Sequence, residues 1–149
     1  MAGPASPHSF PPADGALLAC AIRDALAHAG IGPDDVDAVV TGATGLAAQD
    51  RAIAAGLVAA FGGPGRVPPV CAPLAVTGSF YGAGALLSLA AISVLRSGMV
   101  PVTPGVGPAS RAVLAALPEE PVTLPRSRCV LSVQCAEGSV ATALVLSAA

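Results

Sequence analysis

Apolar and polar positions recur at two periods along this chain. In "DGALLACAIRDALAHAG", residues 14–30, the residues Leu18, Ile22, Ala25, Leu26 and Ala29 fall on one face at helical spacing. Arg23, Asp24 and His28 extend away from the centre of that face. The spacing predicts a first helix, capped by Asp14 and ended by Gly30. A short turn at Pro33 and Asp34 leads into "VDAVVTG", read as a brief strand. "AAQDRAIAAGLVAAFGG" is a second, alanine-rich helix that stops at Gly62-Gly63, and "VPPVCAP" is a short extended piece. "RSGMVPVTPGV" reads as a proline-rich extended loop. "SRCVLSVQC" and "GSVATALVLSA" alternate or run apolar over strand lengths, which predicts two antiparallel strands joined at "AEG". The expected order is α-β-α-β-α-β-β, an α/β architecture with its sheet buried on both faces. Residues 1–14 are expected to form an N-terminal loop and residues 15–149 the domain.

The third helix of that order raises a question. "PLAVTGSFYGAGALLSLAAISVL", residues 73–95, carries no charged side chain. A membrane span needs about 20 apolar residues in a row. The uninterrupted run from Tyr81 ends at Leu95, where Arg96 closes it, and glycine and serine dilute its first half. A dinucleotide loop needs its glycines between a strand and a helix start, with an acid about 20 residues on. "GSFYGAG" has the wrong order, and no acid follows before Glu119. The reading preferred here is a helix apolar on all sides, central to a large α/β core.

Composition sharpens this. The chain has 149 residues, 54% hydrophobic and only 11% charged. Soluble domains carry roughly 25% charged residues. Either a membrane or other protein is expected to cover much of the surface. A net charge of −2 gives no footprint for nucleic acid. The absence of lysine excludes a lysine Schiff base and a Walker-type phosphate loop. The N-terminus lacks a basic stretch followed by an apolar run, so no secretory signal is read, and a cytoplasmic setting is expected. Cys20, Cys71, Cys129 and Cys135 form no CxxC pair, so neither a zinc site nor a disulfide framework is expected, and buried free thiols are the simplest reading. His8 lies in the proline-rich loop and His28 near a helix end, where its charge suits the dipole.

Several blocks carry a resemblance. "AVTGSFYGAGALLSLAAISVLRSGMVPVTPGV" resembles the second half of the β-ketoacyl synthases of the thiolase superfamily, where a Lys-Ser-x-Thr-Gly-His turn opens a buried glycine-rich helix. "AGIGPDDVDAVVTGATGLAAQDRAIAAGLVAAFGG" resembles that family's helix, strand and His-Gly-Thr-Gly-Thr loop, and "VLSVQCAEGSVATALVL" its closing hairpin. "SPHSFPPADG" resembles the loop joining the family's two halves. The resemblance implies the C-terminal half of a thiolase-like fold, a layered sheet with a buried central helix.

It also implies lost chemistry. The family's first histidine position reads as Gly42, its second as Ser79 and the nearby lysine position as Leu74. The family's Phe-Gly-Phe-Gly-Gly becomes residues 135–139, "CAEGS", and its nucleophilic cysteine lies in the half not found here. Glycine and leucine cannot replace imidazole and ammonium in proton transfer. The pattern is similar to the chain length factor, the ketosynthase beta subunit of type II polyketide synthases, and Asp50-Arg51-Ala52 matches a run common in that group.

From the resemblance, no residue is expected to be catalytic and no cofactor or metal to be bound. Thr77, Ser79 and Phe80 become candidates for lining an acyl cavity. Gly78 belongs to the same turn, and the alternative is a plain turn into a helix. Phe80 and Tyr81 are otherwise read as core aromatics, Asp50-Arg51 as an ion pair at a helix start, and Cys135 as a thiol with no histidine nearby in sequence. The implied partners are a ketosynthase subunit or a separately encoded N-terminal half, with an acyl carrier protein reached through the complex, and neither nucleic acid nor membrane. Two other readings stay open: acyl transfer with Cys135 or a partner's cysteine as nucleophile, and an acyl-binding or structural remnant. Half a fold leaves the far side of the third helix without a partner in the chain.

Overall fold

The structure is a computed structural model that describes residues 13–105, 115–136 and 140–148. Helix α1 (Gly15–Ala29) starts where the Asp14 carboxylate accepts the Ala16 N–H at 2.8 Å and stops at Gly30, which takes the left-handed conformation. Strand β1 (Ala38–Thr41) follows, then α2 (Ala47–Phe61), ended in the same way at Gly62. Strand β2 (Val70–Cys71) leads to a single turn, α3 (Leu74–Thr77), and then to α4 (Ala83–Ser97). A two-stranded antiparallel pair, β3 (Met99–Val100) with β4 (Val122–Thr123), precedes the hairpin of β5 (Cys129–Ala136) and β6 (Val140–Ser147).

The main sheet has the order β2-β1-β5-β6. β1 pairs in parallel with both β2 and β5, and β6 closes one edge antiparallel to β5. Alternation along the strands divides the core into two layers. Val39, Leu131, Val133 and Cys135 face α1 and α2, together with Leu18, Ile22, Ile53 and Leu57. Ala38, Val40 and Val130 face α4 through Leu87, Ala91 and Val94. A strand with side chains buried on both faces needs apolar residues at every position, which is why β1 reads Ala-Val-Val-Thr without alternation.

The expected α/β order holds for the seven main elements. Three pieces were not expected: α3, β3 and β4. The last two turn part of the proline-rich loop into a small sheet, with the Leu124 N–H donating to Gly98 O at 2.8 Å. α4 departs from the expectation of burial on all sides. Ala83, Leu87, Ala91 and Val94, spaced four, four and three, are buried, whereas Leu89 and Ile92 on the other side are exposed. Within this chain α4 has one sheet to pack on, so one stripe is covered. No helix among the described residues is long and apolar enough to cross a membrane.

Candidate functional site

Of the positions singled out in the sequence, Gly42 follows β1 beside the end of β5, and Thr77, Ser79 and Phe80 lie between β2 and α4. Gly42 extends β1, its N–H donating to Val133 O at 2.8 Å. A Cβ built there would stand 2.9 Å from Gln134 Cγ, so the glutamine stem occupies the space that a side chain at position 42 would take. The loop after Gly42 is tied down from both sides. Asp50 accepts the N–H groups of Thr44 and Gly45, each at 3.1 Å. Gln49 Nε2 donates to Cys135 O at 2.6 Å, and Thr44 Oγ1 donates to Gln49 Oε1 at 3.1 Å. The expected ion pair of Asp50 with Arg51 is therefore corrected: the carboxylate holds backbone N–H groups at the opening of α2 instead.

Leu74, expected from the resemblance to stand at the family's lysine position, is fully buried in the layer under α4. The chain reverses direction between Thr77 and Gly82. Gly78 and Gly82 have φ of 74° and 89°, a region that side chains rarely enter, and this lets the chain turn sharply from α3 into α4. Thr77 Oγ1 donates within the turn, to Pro73 O and Gly78 O at 3.4 and 3.3 Å. Thr77, Ser79 and Phe80 are all exposed, and Tyr81 has no cover at all. The reading of Phe80 and Tyr81 as core aromatics is corrected, because both side chains are exposed in this chain.

The thiols divide. Cys71, Cys129 and Cys135 are buried, and Cys20 is exposed on α1, against the expectation of burial. Burial pushes the Cys71 thiol up to about 11. Burial raises Cys135 as well, with the Asp14 carboxylate adding to it and a hydrogen bond to Asp14 O opposing it. A raised thiol is a poor thiolate source. His28 Nδ1 sits 2.8 Å from Asp24 O on the exposed end of α1, far in sequence from Cys135. His8 and residues 137–139 lie outside the described residues.

Sequence reasoning passed over three polar side chains on the α4 face of the hairpin. Ser132 and Gln134 sit two residues apart on β5, and Thr142 stands directly opposite Gln134 on β6. With Gly84, Leu87, Ser88 and Leu144 they border a groove of about 200 Å³. Their signal was present: polar residues at even spacing in strands that are otherwise apolar. Among the described residues, no charged side chain borders this groove.

Comparison with known proteins follows from this geometry. Residues 3–106 match the family model "Beta-ketoacyl synthase, C-terminal domain". The tetracenomycin polyketide synthase ketoacyl synthase beta subunit of Streptomyces glaucescens is 48% identical over 88 residues, 58% of this chain and 21% of that protein. The actinorhodin polyketide putative beta-ketoacyl synthase 2 of Streptomyces coelicolor is 39% identical over 139 residues, 89% of this chain and 33% of that protein. Among solved structures, the ishigamide ketosynthase/chain length factor superposes with a TM-score of 0.79 at 24% identity, covering 96% of this chain and 35% of the other. A type II polyketide synthase ketosynthase in complex with its acyl carrier protein gives 0.76 at 22% identity, covering 95% and 35%. These two likenesses establish the fold. The chain spans a third or less of the length of the curated relatives named here.

Proposed function

The chain belongs to the beta-ketoacyl synthase C-terminal domain family, and from that premise we propose that it is a non-catalytic, chain-length-factor-like half-subunit of polyketide biosynthesis. It pairs with an active ketosynthase or with a separately encoded N-terminal half and shapes the cavity that holds the growing acyl chain. An acyl carrier protein reaches it through that complex. The observation that carries this reading is the uncovered side of α4. Leu89 and Ile92 on the helix, and Val140 and Leu144 on the neighbouring strand, stand exposed in a domain with little charge to spare. Exposed apolar surface of this kind marks a protein interface. The relative from Streptomyces glaucescens supports the choice of partner, since its name is that of a ketoacyl synthase beta subunit.

The loss of catalysis is argued from residue chemistry. Gly42 and Ser79 stand at the two histidine positions and offer no imidazole, and Leu74 offers no ammonium. Cys135 is buried, its thiol is raised, and its sulfur lies 3.6 Å from a carbonyl oxygen. This disfavours acyl transfer on this chain's own cysteine. We place Thr77, Ser79 and Phe80 at the cavity's border once the partner is in place.

Co-expression with a type II ketosynthase, and separately with the N-terminal part of a beta subunit, tests the pairing. The expected result is a stable complex on size exclusion with one of the two. A lone monomer that binds neither overturns it. Malonyl decarboxylation by the isolated chain would overturn the non-catalytic assignment.

A further inference from the structure

We infer that the cavity between the C-terminal end of α1 and the start of β5 is a binding site for an apolar α-amino acid in its zwitterionic form, with Arg128 taking the carboxylate and Asp35 the ammonium group. The site stands apart from the pairing proposed above and does not rest on it. Cys129 and Val145, which border the cavity, belong to the core layer on the α1 side of the sheet, and α4 packs on the other side. Along β5, Cys129 is the first residue and Gln134 lies five residues on, roughly 17 Å away at the rise of a strand.

The charges at the rim are the starting observation. Arg126 and Arg128 both border this cavity of about 350 Å³, but they are held differently. Arg126 Nε donates to Asp37 Oδ1 at 2.6 Å and its Nη2 donates to Asp34 O at 2.9 Å, so its charge is already compensated. The Arg128 side chain has no hydrogen bond or ion pair among the described residues; only its backbone N–H is engaged, with Asp37 Oδ2. Asp35 borders the same cavity. Its Oδ2 accepts the Gly32 N–H at 2.8 Å, and its Oδ1 has no partner among the described residues. No ion pair joins Asp35 to Arg128. Two opposite charges that border one cavity without meeting leave a place for a ligand that carries both. The floor feels the same charges. Cys129 is buried there, and its thiol is raised by burial first, then by the Asp37 and Asp35 carboxylates, with Arg126 opposing. Ile31 and Val145, both half-buried, supply the apolar wall.

The rim selects the class of ligand. A simple carboxylate at Arg128 leaves Asp35 unpaired and adds a like charge near it; a simple amine at Asp35 does the same to Arg128. A phosphate brings between one and two negative charges to a rim where two arginines already face Asp35 and Asp37. A zwitterion satisfies both sides. Its carboxylate accepts from the guanidinium fork, its ammonium donates to Asp35 Oδ1, and its aliphatic side chain lies along Ile31 and Val145 above Cys129. The cavity stands at the small end of the range for ligand pockets, about 300–1,000 Å³, which suits a single amino acid. Both charged side chains are exposed, so either alone holds a ligand weakly, and the selectivity comes from their acting on one molecule.

The test titrates the full chain, with its leucine and valine methyl groups labelled for NMR, with L-leucine, N-acetyl-L-leucine and L-leucinamide. The three share a side chain and differ in charge at about pH 6.5, where the leucinamide amine is protonated. Leucine should bind about tenfold more tightly than either of the others. It should shift the Val145 methyl groups and leave those of Leu144, on the opposite face of the sheet, in place. R128Q should bring leucine to within about twofold of leucinamide, and D35N to within about twofold of N-acetyl-leucine. Asparagine at 35 keeps an oxygen for the Gly32 N–H, and glutamine at 128 keeps the backbone bond to Asp37, so both variants should retain the melting temperature. Equal binding of the three probes, a preference that survives either variant, or shifts that pass Val145 by overturns the site. So does the absence of saturable shifts with all three.

Discussion

At the scale of single residues, two buried arrangements decide what the chain tolerates. Asp37 is the better paired. Its Oδ1 meets Arg126 Nε at 2.6 Å, and its Oδ2 accepts the N–H groups of Arg128 and Cys129 at 2.8 and 2.9 Å. Burial alone raises the carboxyl, but these three donors outweigh it and the net shift is downward. A depressed folded-state value stabilises the protein above the unfolded value, near 3.9, and that contribution is lost as pH falls through the folded value. Asp37→Asn should therefore destabilise the protein at pH 7 by about 2 kcal/mol and flatten the loss of stability in acid; urea titrations at pH 7 and pH 3 read both. The second arrangement is Gly42 against Gln134. An alanine at 42 puts Cβ 2.9 Å from Gln134 Cγ, which is too close. Gly42→Ala should cost about 1–3 kcal/mol, and Gln134→Ala in the same chain should recover most of it, a coupling that a double-mutant cycle measures. Placing a histidine at 42 thus requires a change at Gln134 too. The sequence singled out Gly42, read by resemblance as a family histidine position. It did not reveal the glutamine in its place, because that contact joins strands far apart in the chain.

Between elements, the α1–α2 crossing is a close backbone approach at two glycines. A Cβ on Gly15 would stand 2.6 Å from Ala52 O, and one on Gly56 would stand 2.9 Å from both Gly15 O and Leu18 Cβ. Helix propensity favours alanine over glycine by about 1 kcal/mol in mid-helix. Overpacking against a backbone oxygen costs about 1–3 kcal/mol and should win. Gly56→Ala is expected to lower the melting temperature by a few degrees, although a propensity scale alone predicts a rise; calorimetry separates the two. The helices and the β5–β6 hairpin were readable because their apolar periods and their glycine stops are local. β3 and β4 were not. Each is two residues long, and Met99–Val100 becomes a strand only by pairing with Val122–Thr123, across a segment with no pattern of its own. α4 was read correctly as a helix, but its burial was overestimated: within this chain it has one sheet to pack on, and only the stripe of Ala83, Leu87, Ala91 and Val94 is covered.

For the whole molecule, that uncovered stripe governs behaviour in solution. Leu89 is 63% exposed and Ile92 41% exposed on α4, with Leu144 and Val140 each about half exposed on the adjoining strand and Phe80 at the turn. Only 11% of the residues carry charge, so little offsets this apolar area. The lone chain is therefore expected to bind hydrophobic dyes and to self-associate as its concentration rises. Leu89→Glu with Ile92→Glu places two carboxylates on the open side without touching Ala83, Leu87, Ala91 or Val94, which carry the packing. Surface substitutions of this kind usually change stability by less than about 0.5 kcal/mol each. The double variant should sediment as a monomer, keep its melting temperature and lose any complex with a ketosynthase or N-terminal half. Ala91→Glu makes the converse point: on the packed side, one buried carboxylate should unfold the domain. If the unchanged chain is already monomeric and silent to dye at high concentration, the face is covered from within and the pairing has no surface to use.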